Sequence, residues 1–251
     1  MYDTETRLGA LRLVAQGRSL NSVSKQTGVS RSAIRSWATR VEPSPRMARE
    51  CPSEPADAAS YAYLLGLYLG DGCISPHPHG GHYLRIACAD AWPGLTELCR
   101  AAVVAVRPGA CVAVVRKQGC VMVSSYDRHW PCLFPQHGPG RKHERRIELV
   151  DWQREIVDAH PWGLIRGLVH SDGCRNMNWT TRTVGGETKR YEYPRYWFTN
   201  VSDDIRRLYT DTLDTLGVEW KNCTRYGKPY NISVARKASV ALMDTHVGPK
   251  H

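Results

Sequence analysis

Two aspartates, Asp71 and Asp172, stand 101 residues apart in blocks that repeat each other. Tyr63-Leu-Leu-Gly-Leu-Tyr-Leu-Gly-Asp-Gly-Cys73 returns as Leu164-Ile-Arg-Gly-Leu-Val-His-Ser-Asp-Gly-Cys174. Read as helices, the blocks put Gly66 and Gly70 on one face, and Gly167 and Ser171 on the matching face of the second copy. Small residues four apart let two helices pack backbone to backbone. Each helix then ends in Asp-Gly, where Gly72 and Gly173 suit a terminal residue at positive φ. A carboxylate at a helix C-terminus opposes the macrodipole, and two carboxylates side by side repel. Either they protonate or cations sit between them. A hard divalent ion, Mg²⁺ or Mn²⁺, held by both carboxylates, the Gly70 and Ser171 carbonyls and water, relieves the conflict. Paired acids around such an ion suit in-line phosphodiester hydrolysis.

Matching elements must position those helices. Strand-like stretches follow each block at 73–76 and 83–89, and at 174–182 and 193–200. A helix follows (93–106; 202–216), then two more strands (110–116 and 119–124; 218–225 and 229–234) and a last helix (126–134; 236–246). A period of about 100 residues is too long for a solenoid. It reads as a duplicated, pseudo-twofold αββαββα domain of α+β class, with halves at 58–147 and 161–251 joined by a bridging segment at 148–160. The segments behind the last helices also rhyme, His137-Gly-Pro-Gly-Arg-Lys-His143 against His246-Val-Gly-Pro-Lys-His251. The basic run 141–146 fits a phosphate contact and a solvated linker equally well.

A small all-α unit is expected at residues 1–41. Leu8, Leu11, Leu13 and Val14 fit one helix face, and residues 20–37 have the layout of a helix-turn-helix. Gly28 supplies a turn at positive φ, Ser30 a cap for the next helix, and Val23, Val29, Ile34 and Trp37 a mini-core. Arg31, Ser32 and Arg35 then face outward, toward a major groove. Segment 42–57 holds four prolines and reads as a linker.

Charge narrows the partner. Lys and Arg total 34 against 24 Asp and Glu, a net +10 that favours a polyanion, nucleic acid first. The longest near-apolar run, 62–70, is far short of a membrane span, and no signal peptide opens the chain. An intracellular, cytoplasmic and nucleoid-associated protein is expected. Nine cysteines without any C-x-x-C spacing give no zinc or dithiol motif; most are expected as small core residues, as are Trp162, Trp179, Trp197 and Trp220. The cluster His77, His79 and His82 reads as a polar turn rather than a metal site.

The repeated blocks resemble the two LAGLIDADG motifs of a single-chain homing endonuclease, over roughly residues 60–251. The first 40 residues resemble the helix-turn-helix of transposases and recombinases. The resemblance implies two four-stranded sheets forming a saddle over double-stranded DNA, with Asp71 and Asp172 binding the divalent metal at the scissile phosphates. It also implies a basic residue near a strand end in each half. Arg236 and Lys237 stand there in the second half; the first half has Ser124-Ser125, with Gln118 as a weak substitute. DNA-facing cations are expected at Arg175, Arg182, Lys189, Arg190, Arg195, Lys221, Arg225 and Lys228, and in the first half at Arg85, Arg116 and Lys117. Unequal halves imply a long asymmetric site read by a monomer. A second reading is a DNA-binding regulator that keeps the scaffold without cutting, since some bacterial sporulation regulators pair a LAGLIDADG-like domain with a helix-turn-helix.

Overall fold

Asp3, Ser19 and Ser30 each cap a helix in the first of two compact units, residues 1–50 and 51–251. The computed structural model describes residues 2–39, 41, 54–78, 80–225, 227–248 and 250. Asp3 Oδ1 accepts from the Thr6 amide (2.7 Å), Ser19 Oγ from Ser22 (3.2 Å) and Ser30 Oγ from Ala33 (3.3 Å). These start α1 (Thr4–Ala15), α2 (Leu20–Thr27) and α3 (Arg31–Thr39). Gly28 ends α2 at φ 70°, the left-handed region. Val23, Val29, Ile34 and Trp37 are buried together with Ala10. The expected α1 face is only partly used: Leu8 is exposed, and Ala10 and Arg7 take the buried positions. Arg7 is held by the carbonyls of Tyr2 and Val41 and lies over the Trp37 ring. Of the expected linker, 42–53 lies outside the described residues.

The second unit runs α4 (Ala58–Asp71), β1 (Gly72–Pro76), β2 (His82–Ala89), α5 (Pro93–Val106), β3 (Val112–Lys117), β4 (Cys120–Asp127) and α6 (Trp130–Leu133). After a 3₁₀ turn at Lys142–Glu144 and the bridging helix α7 (Asp151–Ala159), the order repeats. The repeat is α8 (Pro161–Asp172), β5 (Gly173–Val184), β6 (Glu187–Thr199), α9 (Asp203–Thr215), β7 (Lys221–Arg225), β8 (Lys228–Val234) and α10 (Lys237–His246). The two antiparallel sheets have the same strand order, β1-β2-β4-β3 and β5-β6-β8-β7. The fold is thus α+β, a duplicated αββαββα arrangement. No helix among the described residues is long and apolar enough to cross a membrane.

Helix α4 starts at Asp57, whose carboxylate accepts from the Ser60 amide (2.6 Å). Tyr61 through Leu69 are buried on every side, as expected of a helix apolar all round. The partner is α8. A Cβ on Gly66 would fall 2.6 Å from the Leu164 carbonyl oxygen and 2.7 Å from the Leu168 nitrogen. Gly70 faces Ser171, whose hydroxyl donates back to the Gly167 and Leu168 carbonyls of its own helix.

Three expectations are corrected. Gly72 and Gly173 have φ of −93° and −110°, extended rather than left-handed. Glycine is needed there for space, because each strand starts at once against its helix: a Cβ would fall 2.8 Å from Ile86 Cδ1 in one half and 2.8 Å from Val169 Cα in the other. Second, β5 and β6 form one continuous ribbon turning at Gly185-Gly186, both at positive φ. Only Tyr196–Thr199 of β6 pairs with β8, so the rest of the ribbon outruns the core. Trp179 lies on that outer stretch, 55% exposed, and is not a core residue. Third, Cys73, Cys111 and Cys174 are exposed, while Cys88 and Cys99 are buried.

Candidate functional site

The abutting C-termini of α4 and α8 bring the two motif aspartates to one seam. Each sheet leaves that seam directly from its own aspartate, since β1 begins at Gly72 and β5 at Gly173. Both carboxyls are pushed up from the usual range. Asp172 rises to about 6, first through burial, then through the charge of Asp71. Asp71 keeps some solvent contact, yet burial raises it against the opposing charges of Lys142 and Lys250. Asn200 Nδ2 donates to Asp172 Oδ2 (2.7 Å), a partner that opposes the rise. A cleft of about 280 Å³ opens beside Asp172, lined in part by Gly70, Lys142, His143, Thr199 and Asn200.

Two cations in the seam answer the carboxylates. Lys142 Nζ donates to the carbonyls of Gly70 (2.7 Å) and Tyr68. Lys250 Nζ donates to the Ser171 carbonyl (3.2 Å). Burial pushes the Lys142 amine down to about 8, and it lowers Lys250 as well; the aspartates oppose both shifts. Lys142 belongs to the basic run 141–146, for which the sequence leaves a phosphate contact and a solvated linker open, and Lys250 carries no expectation of its own. The rhyme of the segments behind the last helices was the available signal, but those segments differ in length, so the 101-residue offset does not align them.

Arg236 ion-pairs with Glu219, and Lys237 is exposed at the first turn of α10. In the first half Ser125 is buried, and Ser124 lies opposite Arg85.

Residues directly opposite in an antiparallel pair share a face, so register sorts the remaining basic residues. In the first sheet the buried side chains Ile74, Leu84, Ile86 and Val123 mark the helix-covered face. Arg85 lies on the other, open face with Cys73, Ser75 and Tyr83; it donates to Ser75 Oγ and lies 4.7 Å over the Tyr83 ring. Lys117 shares that open face, and Arg116 the covered one. In the second sheet Tyr196, Phe198, Ile232 and Val234 mark the covered face. Arg182, Lys189, Arg195 and Lys221 fall on the open one. Arg195 there lies 4.7 Å over Trp197. Arg175 falls on the covered side and makes a two-oxygen ion pair with Asp244 (2.6 and 2.9 Å), which also accepts from Tyr196 Oη. Arg190 is also on that side, 5.0 Å over the Trp179 ring. Lys228 is exposed beside the Tyr230 ring. The Arg225 side chain and His79 lie outside the described residues. In the first unit Arg31, Ser32 and Arg35 are all exposed on α3.

No family model matches the chain, and no curated protein matches it. Solved structures do. A complex of I-DmoI with DNA and Mn is 13% identical, with a TM-score of 0.49 over 77% of this chain and 98% of that one. The LAGLIDADG meganuclease I-AabMI bound to uncleaved DNA is 12% identical, with a TM-score of 0.45 over 74% and 83%. The N-terminal LAGLIDADG domain of DUF199/WhiA is 9% identical, with a TM-score of 0.45 over 80% and 86%. At these identities and scores the likeness assigns no activity. The duplicated fold rests on this chain's own sheet order and helix pairing.

The donor set fits a hard divalent cation. Two carboxylates are held at one seam at a desolvation cost that a cation relieves. The Gly70 and Ser171 carbonyls, also expected as ligands, already accept from lysines, although a carbonyl has a second lone pair to offer.

Proposed function

We propose that the chain is a site-specific, divalent-metal-dependent endonuclease of double-stranded DNA, of the LAGLIDADG homing type. The observation that carries this reading is the pairing of Asp71 and Asp172 at the close-packed ends of α4 and α8, where both sheets begin. Mg²⁺ or Mn²⁺ bound by the two carboxylates would supply Lewis-acid polarisation of the scissile phosphate and an activated water. The chain's own groups do the rest. Gly66, Gly70, Gly163 and Gly167 let the helices approach until both aspartates stand at one seam, and Asn200 orients Asp172 by its hydrogen bond. Arg85, Lys117, Arg182, Arg195 and Lys221 on the open faces would hold the duplex through phosphates and base edges. More of these lie in the second half than in the first, which favours a long asymmetric target and a monomeric reader. Arg31, Ser32 and Arg35 would add a tethered major-groove contact that lengthens the site. Such a protein works at the nucleoid, in the cytoplasm.

A second reading is a DNA-binding regulator on a catalytically weak scaffold. The fused three-helix unit and the Arg236–Glu219 pair, which ties up one strand-end cation, favour it. Incubation of the protein with its own flanking genomic DNA, with Mg²⁺ and with EDTA, separates the two. Discrete Mg²⁺-dependent cuts support the endonuclease; specific binding without cutting supports the regulator.

A further inference from the structure

Lys142 and Lys250 enter the seam from corresponding places. Each follows the last helix of its own half, α6 or α10. Each reaches the carbonyl of the residue just before that half's aspartate, Gly70 or Ser171. The charge of each bears on both aspartates. Capping a helix C-terminus explains part of this, because a cation there complements the macrodipole. It does not explain why two segments of different length each deliver a lysine to the same carbonyl position. It also leaves donors over. An ammonium has three; among the described residues, two carbonyls each take one donor of Lys142 and one carbonyl takes one donor of Lys250. Meanwhile the open face of the first half has a serine where a strand-end cation was expected, and Arg236 is held by Glu219.

We infer that Lys142 and Lys250 are a matched pair of phosphate-contacting residues, one for each DNA strand at the seam. The polyanion is the missing acceptor: an ammonium pinned beside a carboxylate pair offsets the repulsion that a backbone phosphate meets there. The strand assignment rests on the endonuclease reading; the phosphate contact does not.

The test uses the full chain and a duplex of its flanking genomic DNA with each strand carrying a different end label. Lys142→Gln and Lys250→Gln keep a donor for the carbonyl and remove the charge. Without metal, each substitution should reduce the slope of log affinity against log salt by about 0.9, and the pair by about twice that. Lys142→Arg and Lys250→Arg should keep the wild-type slope. With Mg²⁺, Lys142→Gln should nick one strand and Lys250→Gln the other. Unchanged slopes in the Gln variants overturn the inference. So do slopes lost equally in the Arg variants, which would mark a structural cap, or equal loss of cutting on both strands. A wild type that binds but never cuts defeats the endonuclease reading, and the slopes then decide the phosphate contact alone.

Discussion

Gly167 of α8 lies directly against Gly66 of α4: a Cβ on Gly167 would fall 2.9 Å from the Gly66 Cα and 3.0 Å from the Leu67 nitrogen. This contact sets the distance between the two aspartates, because each is the last residue of its helix. Backbone cannot yield as a flexible side chain would. Gly167→Ala should therefore destabilise the second unit by about 3 kcal/mol, read as a lower urea midpoint at unchanged m-value. A midpoint equal to wild type would mean the helices are not in backbone contact.

Asp172 contributes a pH-dependent cost. Its folded pKa of about 6 lies above its ordinary value of 3.8, chiefly through burial and then Asp71. The penalty is absent below pH about 3.8 and grows until pH passes about 6. Asp172→Asn should thus stabilise the protein at pH 7.5 by on the order of 2 kcal/mol. The gain should vanish toward pH 4. Thermal melts across that range check it, and a gain that grows on acidification would contradict the assignment.

A divalent cation binding the folded seam raises the melting temperature by mass action. Mg²⁺ or Mn²⁺ should stabilise the wild type at neutral pH and leave Asp71→Asn/Asp172→Asn unmoved. Equal stabilisation of both proteins would place the metal elsewhere.

Two arginines of the second half should part ways. Arg175 is committed to Asp244. Its replacement by alanine should cost about 0.5–1 kcal/mol of stability and leave DNA affinity unchanged. Arg195, stacked on Trp197 on the open face, should lose affinity on replacement, with a salt slope shallower by about 0.9. Filter-binding titrations at several salt concentrations separate them.

Cys73 and Cys174 are exposed next to Gly72 and Gly173, on the open faces of their sheets. Duplex DNA containing the target should slow their alkylation by iodoacetamide. Mass spectrometry after trypsin reads each site. Rates unchanged by DNA would mean that the duplex lies on another surface.

Much of this arrangement could be read before the structure. The duplicated block, its small residues four apart and its closing Asp-Gly are local patterns, so α4, α8 and the paired carboxylates followed from periodicity. The element sequence αββαββα in each half followed from the repeat, while the strand order within each sheet came from the structure. What escaped was long-range. The positive φ expected of Gly72 and Gly173 failed because their strands begin without a turn, a steric matter set by Ile86 and Trp197 across the sheet. The exposure of Trp179 escaped because nothing local marks where β6 stops pairing with β8. The basic run 141–146 left a phosphate contact open for Lys142, but its place in the seam and its match with Lys250 escaped, because the two arrive on segments of unequal length and no fixed spacing connects them to the carbonyls they reach. Arg175 and Arg236 looked like free cations because their partners, Asp244 and Glu219, are distant in sequence.

The most direct test of the central claim compares wild type with Asp71→Asn/Asp172→Asn on flanking genomic DNA, reading binding and strand breaks in the same samples. The account predicts that both proteins bind the same site and that only the wild type cuts it, in Mg²⁺ and not in EDTA. Cutting by the double variant at the wild-type rate, or the same cuts in EDTA, would contradict it.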